Sequence, residues 1–187
     1  MKKLKLQMQI TADGFVCGPN GEMDWMTWNW TDDIKKFVDD LTDPADKILL
    51  GKNMTDGFVN HWKNVKADKD HPEHQAGVKF TDTPKVVFSR TLKESQWDNT
   101  EIASESLAIE VSRLKEEQGT YIMVYGGAGF VSSLVNDNLI DDYYLFVNPV
   151  VLGKGKRIFD GLPSAKQLNL VESVKFDCGI VVNHYKK

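Results

Sequence analysis

Tyr121-Ile122-Met123-Val124-Tyr125 is a short apolar run that passes directly into Gly126-Gly127-Ala128-Gly129, and helical spacing resumes at Phe130 and Val131. A strand that turns into a helix through three glycines in four residues is a strand-to-helix junction of an α/β fold. Backbone amides freed at the positive end of such a helix make a seat for a phosphate. The glycines remove the Cβ atoms that would hold a diphosphate at a distance and permit dihedrals closed to other residues. A tight turn with no ligand makes the same demand on glycine, so the junction alone leaves both readings open. It disfavours two others. A doubly wound dinucleotide fold places G-x-G-x-x-G after its first strand, with an acidic residue about 20 residues later. Here the cluster is G-G-A-G and comes late in the chain, and no Gly-Lys-Ser/Thr of a phosphate loop follows it.

The rest of the chain supplies the other layers. Leu4, Leu6, Met8 and Ile10 alternate with Lys3, Lys5, Gln7 and Gln9, which predicts a half-buried first strand closed by Thr11-Ala12-Asp13-Gly14. A long loop follows, with the tryptophan-rich stretch Met23 to Trp30, and loops of this length are more often functional than plain connectors. Thr31 suits an N-cap, with Asp32 and Asp33 in the first turn of a helix that carries Ile34, Phe37, Val38 and Leu41 on one face and stops at Pro44. Strands are predicted at Lys47 to Leu50 and Lys85 to Phe88, and helices around Leu107 to Leu114 and Phe130 to Val135. Lys63 to Gly77 is polar, contains Pro72 and reads as a loop.

After Leu139-Ile140-Asp141-Asp142 the pattern is strand-rich: Tyr143 to Val151, Gly153 to Arg157, then Leu168 to Lys175 and Gly179 to Tyr185 joined at Asp177-Cys178-Gly179. Parallel crossovers followed by a hairpin predict a three-layer α/β/α arrangement with a mixed, mostly parallel sheet and an antiparallel C-terminal hairpin. No linker or repeat interrupts it, so residues 1–187 are read as one domain.

Composition narrows the function classes. A 187-residue chain buries roughly 70% of its unfolded surface without a staple. Cys17 and Cys178 have no metal spacing and are expected as free thiols in a reducing cytoplasm. No apolar run approaches the ~20 residues of a membrane span, and no signal peptide is recognisable. A net charge of −4 lacks the clustered basic excess of a nucleic-acid surface. His71-Pro72-Glu73-His74 reads as a polar loop, so no metal is expected.

Three predicted strands end in residues suited to an anion: Gly51-Lys52-Asn53-Met54-Thr55, Ser89-Arg90-Thr91 and Gly126 to Gly129. In an open α/β sheet, ligands bind beyond the carboxyl ends of the strands. Together with Ala12-Asp13-Gly14-Phe15, Leu139 to Asp142 and Asn148-Pro149-Val150-Val151-Leu152-Gly153-Lys154-Gly155-Lys156-Arg157-Ile158-Phe159, this series resembles the dihydrofolate reductase superfamily. Within it, the chain is most similar to the reductase domain at the C-terminus of the bacterial riboflavin-pathway deaminase-reductase. The last string resembles that family's P-V-x-L-G-x-G-x-x-L-F, and the likeness covers nearly the whole chain.

The resemblance implies an NADPH-dependent reductase that passes hydride from the nicotinamide to a small heterocyclic or ribosylated substrate. It implies that Gly126, Gly127, Ala128, Gly129, Phe130 and Val131 hold the diphosphate and that Gly51, Lys52 and Thr55 extend the cradle. Ser89 and Arg90 are placed at the adenosine 2′-phosphate and Ala12 at the nicotinamide. A cis Gly126-Gly127 peptide and a homodimer are implied as well. Asp32 or Asp33 falls where folate reductases keep the acid that holds the pterin, although acids also favour a helix N-terminus for its dipole. Asp13 and Asp24 are further candidates. The chain departs from the family at Met54 to Trp62, where the D-D-P-type segment and arginines that meet a ribosyl phosphate are not matched. Dihydrofolate reduction and a non-catalytic nucleotide-binding module are the alternative readings.

Overall fold

The computed structural model describes residues 1–187. In chain order its elements are β1 (Lys3–Thr11), α1 (Asp32–Thr42), β2 (Ala45–Gly51), α2 (Lys52–Ala67), α3 (His74–Asp82), β3 (Lys85–Phe88) and β4 (Thr100–Ile102). These are followed by α4 (Leu107–Glu116), β5 (Tyr121–Val124), α5 (Ala128–Asn136), β6 (Asp142–Asn148), β7 (Asn169–Lys175) and β8 (Val181–Lys186). The strands form one eight-stranded sheet in the order β4-β3-β2-β5-β1-β6-β8-β7. All pairings from β4 to β6 are parallel, and β8 runs antiparallel to both β6 and β7.

Alternation along the strands sorts the core onto two faces. Leu4, Leu6, Met8 and Ile10 of β1 pack with Val111 and Leu114 of α4 and with Val131, Leu134 and Val135 of α5. The opposite face carries α1 through Ile34 and Leu41, packed with Met123, Phe146 and Val182, and α2 and α3 through Phe58, Trp62 and Phe80, packed with Ile48, Leu50 and Val87. This is the predicted α/β/α sandwich, with the antiparallel hairpin at its C-terminus.

Two segments differ from the sequence expectation. The stretch read as a loop, 63–77, contains the end of α2 and the start of α3. Its apolar positions are sparse, but Val59, Val65 and Phe80 are buried and give the two helices their inward faces. Tertiary packing outweighs the weak local signal. Gly153 to Arg157 forms no strand; it makes one isolated antiparallel bridge, Lys156 with Cys17. The short strand β4 has no counterpart in the sequence reading. No helix is long and apolar enough to cross a membrane, and both cysteines are free.

A buried ion pair lies at the amino edge of the sheet. Asp141, almost buried, accepts the Leu4 N–H at 2.8 Å and lies 2.6 Å from the Lys115 ammonium. This pins the start of β1 to the end of α4.

Candidate active site

Parallel pairing brings the carboxyl ends of β1, β2, β3, β5 and β6 to one edge of the sheet, and with them most of the residues singled out from the sequence. Gly51 and Gly127 are the N-caps of α2 and α5, both in extended conformation, and neither helix has a side-chain cap or an acid in its first turn. The two ends touch: the Gly51 N–H donates to the Gly126 carbonyl at 3.2 Å. A Cβ on Gly51 would lie 2.8 Å from the Phe130 Cβ and 3.5 Å from the Gly127 nitrogen, so only glycine lets the helices approach this closely. The Gly126-Gly127 peptide is cis. First-turn amides of two helices therefore open onto one spot with no anionic side chain of the protein against them, which is the arrangement that attracts an external anion.

The neighbouring groups differ in how free they are. Lys52 is exposed and donates to the Thr91 hydroxyl at 2.7 Å, tying α2 to the loop after β3. The Ser89 hydroxyl accepts the Thr91 and Leu92 N–H groups at 3.1 and 3.0 Å and so shapes that loop. Arg90 is exposed, with no salt bridge. Thr55 is fully buried and gives its hydroxyl to the Gly51 carbonyl at 3.2 Å, so it supports the cradle from behind instead of lining it. Phe130 stacks on Phe88 with centroids 4.9 Å apart, and Val131 is buried with its N–H donated to the Gly127 carbonyl. Ala12 is exposed at the end of β1, its N–H donated to Val150. Gly129 is exposed, with open space where a side chain would stand.

The three aspartates expected at the chemistry differ in how they are held. Asp13 accepts hydrogen bonds from the Thr11 hydroxyl at 2.6 Å, the Leu152 N–H at 3.1 Å and the Gly153 N–H at 2.7 Å. Led by the Thr11 contact, these bonds lower its pKa to about 2. A carboxylic acid with that affinity for its proton is a clamp, not a proton donor. Asp33 accepts from the Thr31 hydroxyl, the Ile34 N–H at 2.8 Å and the Asp177 N–H at 3.0 Å, and these bonds, Thr31 foremost, lower its pKa. It fastens α1 to the turn between β7 and β8. Asp32 is fully exposed and faces Lys35 at 3.7 Å; Asp24 is exposed.

The string from Pro149 to Phe159 acquires its physical meaning here. It is stitched to the loop after β1 by Val16 N–H to Lys156, Lys156 N–H to Cys17, and Asp13 to Leu152 and Gly153. Gly155 has φ +157°, and a Cβ there would fall 2.2 Å from the Cys17 carbonyl oxygen, so the second glycine of the motif marks a contact between two backbones. Arg157 lies over the Phe15 ring at 4.1 Å.

A second group of residues escaped the sequence reading. A strand inside a parallel sheet is ordinarily apolar on both faces, yet β1 turns Gln7, Gln9 and Thr11 toward the α1 side. Gln7 pairs with Tyr144, Gln9 with Phe146 and Thr11 with Asn148 on β6. Because Leu6 pairs with Val124, Gln7 stands beside Tyr125. The fully buried Asn148 donates to the Gln9 side-chain oxygen at 2.8 Å and accepts the Thr27 N–H at 3.0 Å, which fastens the tryptophan loop over this floor. Trp30 stacks on Phe146, centroids 6.4 Å apart, and Tyr125 meets Phe58 of α2 at 5.6 Å. The signal was present in the alternation of Lys3 to Gln9, but it reads as a solvent-facing side until β1 is known to be central.

An eight-stranded mixed sheet of this order, sandwiched by helices and opening at a glycine junction, defines a dihydrofolate-reductase-like α/β protein. More narrowly, the chain belongs to the RibD C-terminal domain family, whose model matches residues 2–182. It is 32% identical over 182 residues to YyaP of Bacillus subtilis strain 168, spanning 96% of this chain and 92% of that one. A second protein of that strain, YwjB, is 23% identical over 185 residues, 99% and 98% of the two chains; both relatives are described as uncharacterized. Among solved structures, a protein of Shewanella sp. PV-4 described as a riboflavin biosynthesis protein is similar with a TM-score of 0.72 at 21% identity, covering 100% of this chain and 98% of that one. The diaminohydroxyphosphoribosylaminopyrimidine deaminase/5-amino-6-(5-phosphoribosylamino)uracil reductase of Thermotoga maritima gives 0.69 at 17% identity, covering 99% of this chain and 56% of that one.

Proposed function

We propose that the protein is a reductase of the RibD type that binds NADPH at the glycine junction and reduces a small ring substrate held over β1. The observation that carries the reading is the meeting of the α2 and α5 N-termini at Gly51 and Gly127, uncapped and without an acid in either first turn. Membership of the family supports it, as does the reductase activity for which the Thermotoga relative is named. The residues fit the cofactor. Amides at the start of α5 would hold the diphosphate, and Gly129 leaves open the space beside them. Arg90, exposed and without a carboxylate partner, would meet the 2′-phosphate by charge-assisted hydrogen bonds. When bound, NADPH supplies the hydride.

The chain's own residues position and enclose. Asp13, ionised throughout the physiological range, keeps the Ala12 loop joined to Leu152 and Gly153. Asn148 holds the tryptophan loop down over Gln9. Asp33 is engaged by the Thr31 hydroxyl and the Ile34 and Asp177 N–H groups, and Asp32 stands fully in solvent, so the α1 start offers no buried carboxylate to a pterin, which favours the RibD-type reading over dihydrofolate reduction. A cytoplasmic homodimer built through the exposed edge strand β7 accords with this reading; Leu170 and Val171 there are 59% and 50% exposed.

The test is to titrate purified protein with NADPH and NADH by calorimetry. NADPH oxidation is then followed with dihydrofolate and with 5-amino-6-(5-phosphoribosylamino)uracil. Tight NADPH binding with turnover of a pyrimidine supports the reading. Binding without turnover of any ring leaves a nucleotide-binding module, and no binding of either dinucleotide overturns the proposal.

A further inference from the structure

At the amino edge of the sheet, opposite the glycine junction, a cleft of about 430 Å³ opens over the starts of β1 and β6 and the end of β8. Strand register sets its lining. Lys5 pairs with Asp142 and Asp142 with Lys186, while Tyr144 pairs with His184 one step further along. Lys3, Asp141 and Lys187 complete the rim. Where the cleft continues under the end of α1 it meets Asp40, already paired with Lys36 at 2.8 Å, and Glu172 on the edge strand β7.

The charges here are unevenly matched. Both aspartates are nearly buried and committed: Asp141 to the Leu4 N–H, to Lys115 at 2.6 Å and to Lys187 at 3.3 Å, and Asp142 to His184 at 2.7 Å. Lys3 reaches Asp141 only at 4.0 Å. Lys5 and Lys186 form no salt bridge and no side-chain hydrogen bond; the half-buried Lys5 ammonium rests 3.6 Å over the Tyr121 ring. Burial, ahead of the opposing pull of Asp142, holds its pKa below the usual lysine range. A cation drawn partly out of water without a counter-ion favours the arrival of one. His184 has capacity to spare as well. The residue is 8% exposed, lines the cleft and stacks on Tyr144 with centroids 4.1 Å apart. Its Nε2 is taken by Asp142, and Nδ1 has no partner in the protein. With Nε2–H donated to the carboxylate, Nδ1 accepts a hydrogen bond in the neutral ring and donates one in the cationic ring. Hydrogen phosphate can serve both kinds of group, its oxygens facing the ammonium groups and its hydroxyl facing Nδ1.

We propose that this cleft is a second ligand site, separate from the glycine junction, which takes phosphate between Lys5 and Lys186 with His184 at its hydroxyl. The site stands independently of the reductase reading, because neither its ligand nor its reporter involves the dinucleotide. The experiment titrates isotope-labelled protein at pH 8 with inorganic phosphate, and separately with sulfate and chloride at matched ionic strength. The imidazole signals are followed by NMR, that of His184 being assigned by its loss in His184→Gln. Phosphate is expected to move the His184 signal along one saturable curve and to leave His61, His71 and His74 unmoved. Sulfate, which brings the same charge without the hydroxyl, is expected to bind about threefold more weakly or worse. Lys5→Gln is expected to weaken phosphate about tenfold. Lys186→Gln, exposed at the end of β8, is expected to weaken it severalfold and serves if Lys5→Gln does not fold. Arg90→Ala, at the opposite edge, should leave the His184 response as it is. A drift that does not saturate, equal responses to phosphate and sulfate, or unchanged affinity in both lysine variants overturns the proposal. So does a silent His184 signal, including the case in which phosphate settles only on the glycine junction.

Discussion

The Asp13 carboxylate accepts the backbone N–H of Gly153 at 2.7 Å across 140 residues of sequence. The loops that follow β1 and β6 are thereby one unit, and Asp13 serves that unit as an acceptor. Asp13→Asn is expected to retain most of the reductase rate and leave the pH profile unchanged, because no proton is delivered from this position. Asp13→Ala is expected to speed hydrogen exchange at Leu152 and Gly153 and to lower the melting temperature. A pH-rate limb lost in Asp13→Asn would return Asp13 to the chemistry.

Acid should loosen the same joint in a defined window. The folded pKa of Asp13, about 2, lies below its ordinary value of 3.8, so its contribution to stability is fully present above the ordinary value and is lost as pH falls through the folded one. Leu152 and Gly153 amide protection is expected to hold at pH 5 and to decay between roughly pH 4 and 2. The Asp13→Ala protein should show no such step in these two amides.

On the proposed reading, Arg90 is the residue that should separate the two dinucleotides. A charged hydrogen bond contributes roughly 1.5–3 kcal/mol, so Arg90→Ala is expected to weaken NADPH about 10- to 100-fold and to leave NADH nearly unchanged. Calorimetric titration of both dinucleotides decides the matter, and equal losses would remove Arg90 from the 2′-phosphate.

Gly51 and Gly129 should respond in opposite ways. Gly51→Ala places a methyl 2.8 Å from the Phe130 Cβ and is expected to cost about 1–3 kcal/mol of stability. Gly129→Ala meets nothing within 4 Å and should stabilise α5 by up to about 1 kcal/mol. It should nevertheless weaken NADPH, since the methyl enters the space assigned to the diphosphate. Urea unfolding read beside NADPH titration tests the split.

Asp141→Ala leaves the Lys115 ammonium buried without its partner. The expected loss is about 3 kcal/mol, measured by urea unfolding, with dinucleotide affinity unchanged because the pair lies at the opposite edge of the sheet.

What the sequence disclosed follows the range of the interactions involved. The alternation in β1, the glycine junction at Gly126 and the C-terminal hairpin are local patterns, and the structure contains each of them. Helix α3 was hidden because its stability comes from Phe80 packing on α2 and the sheet, not from its own polar composition. The roles of Asp13 and Asp33 were illegible for a related reason: their decisive partners, Gly153 and Asp177, lie 140 and 144 residues away. Gln7 and Gln9 were visible as polar positions, but only the strand order, with β5 and β6 on either side, turns an expected solvent face into a polar layer inside the sheet.

The meeting of Gly51 and Gly127 also has a mechanical side. Each helix brings about half a positive elementary charge to its N-terminus, and the fold presses two such ends together with Lys52 nearby. The two partial charges have the same sign, so an anion placed between them would be attracted by both ends at once. If the proposed cofactor seats its diphosphate there, the start of α2 and of α5 should gain hydrogen-exchange protection on binding, with the gain in rigidity spreading outward along both helices.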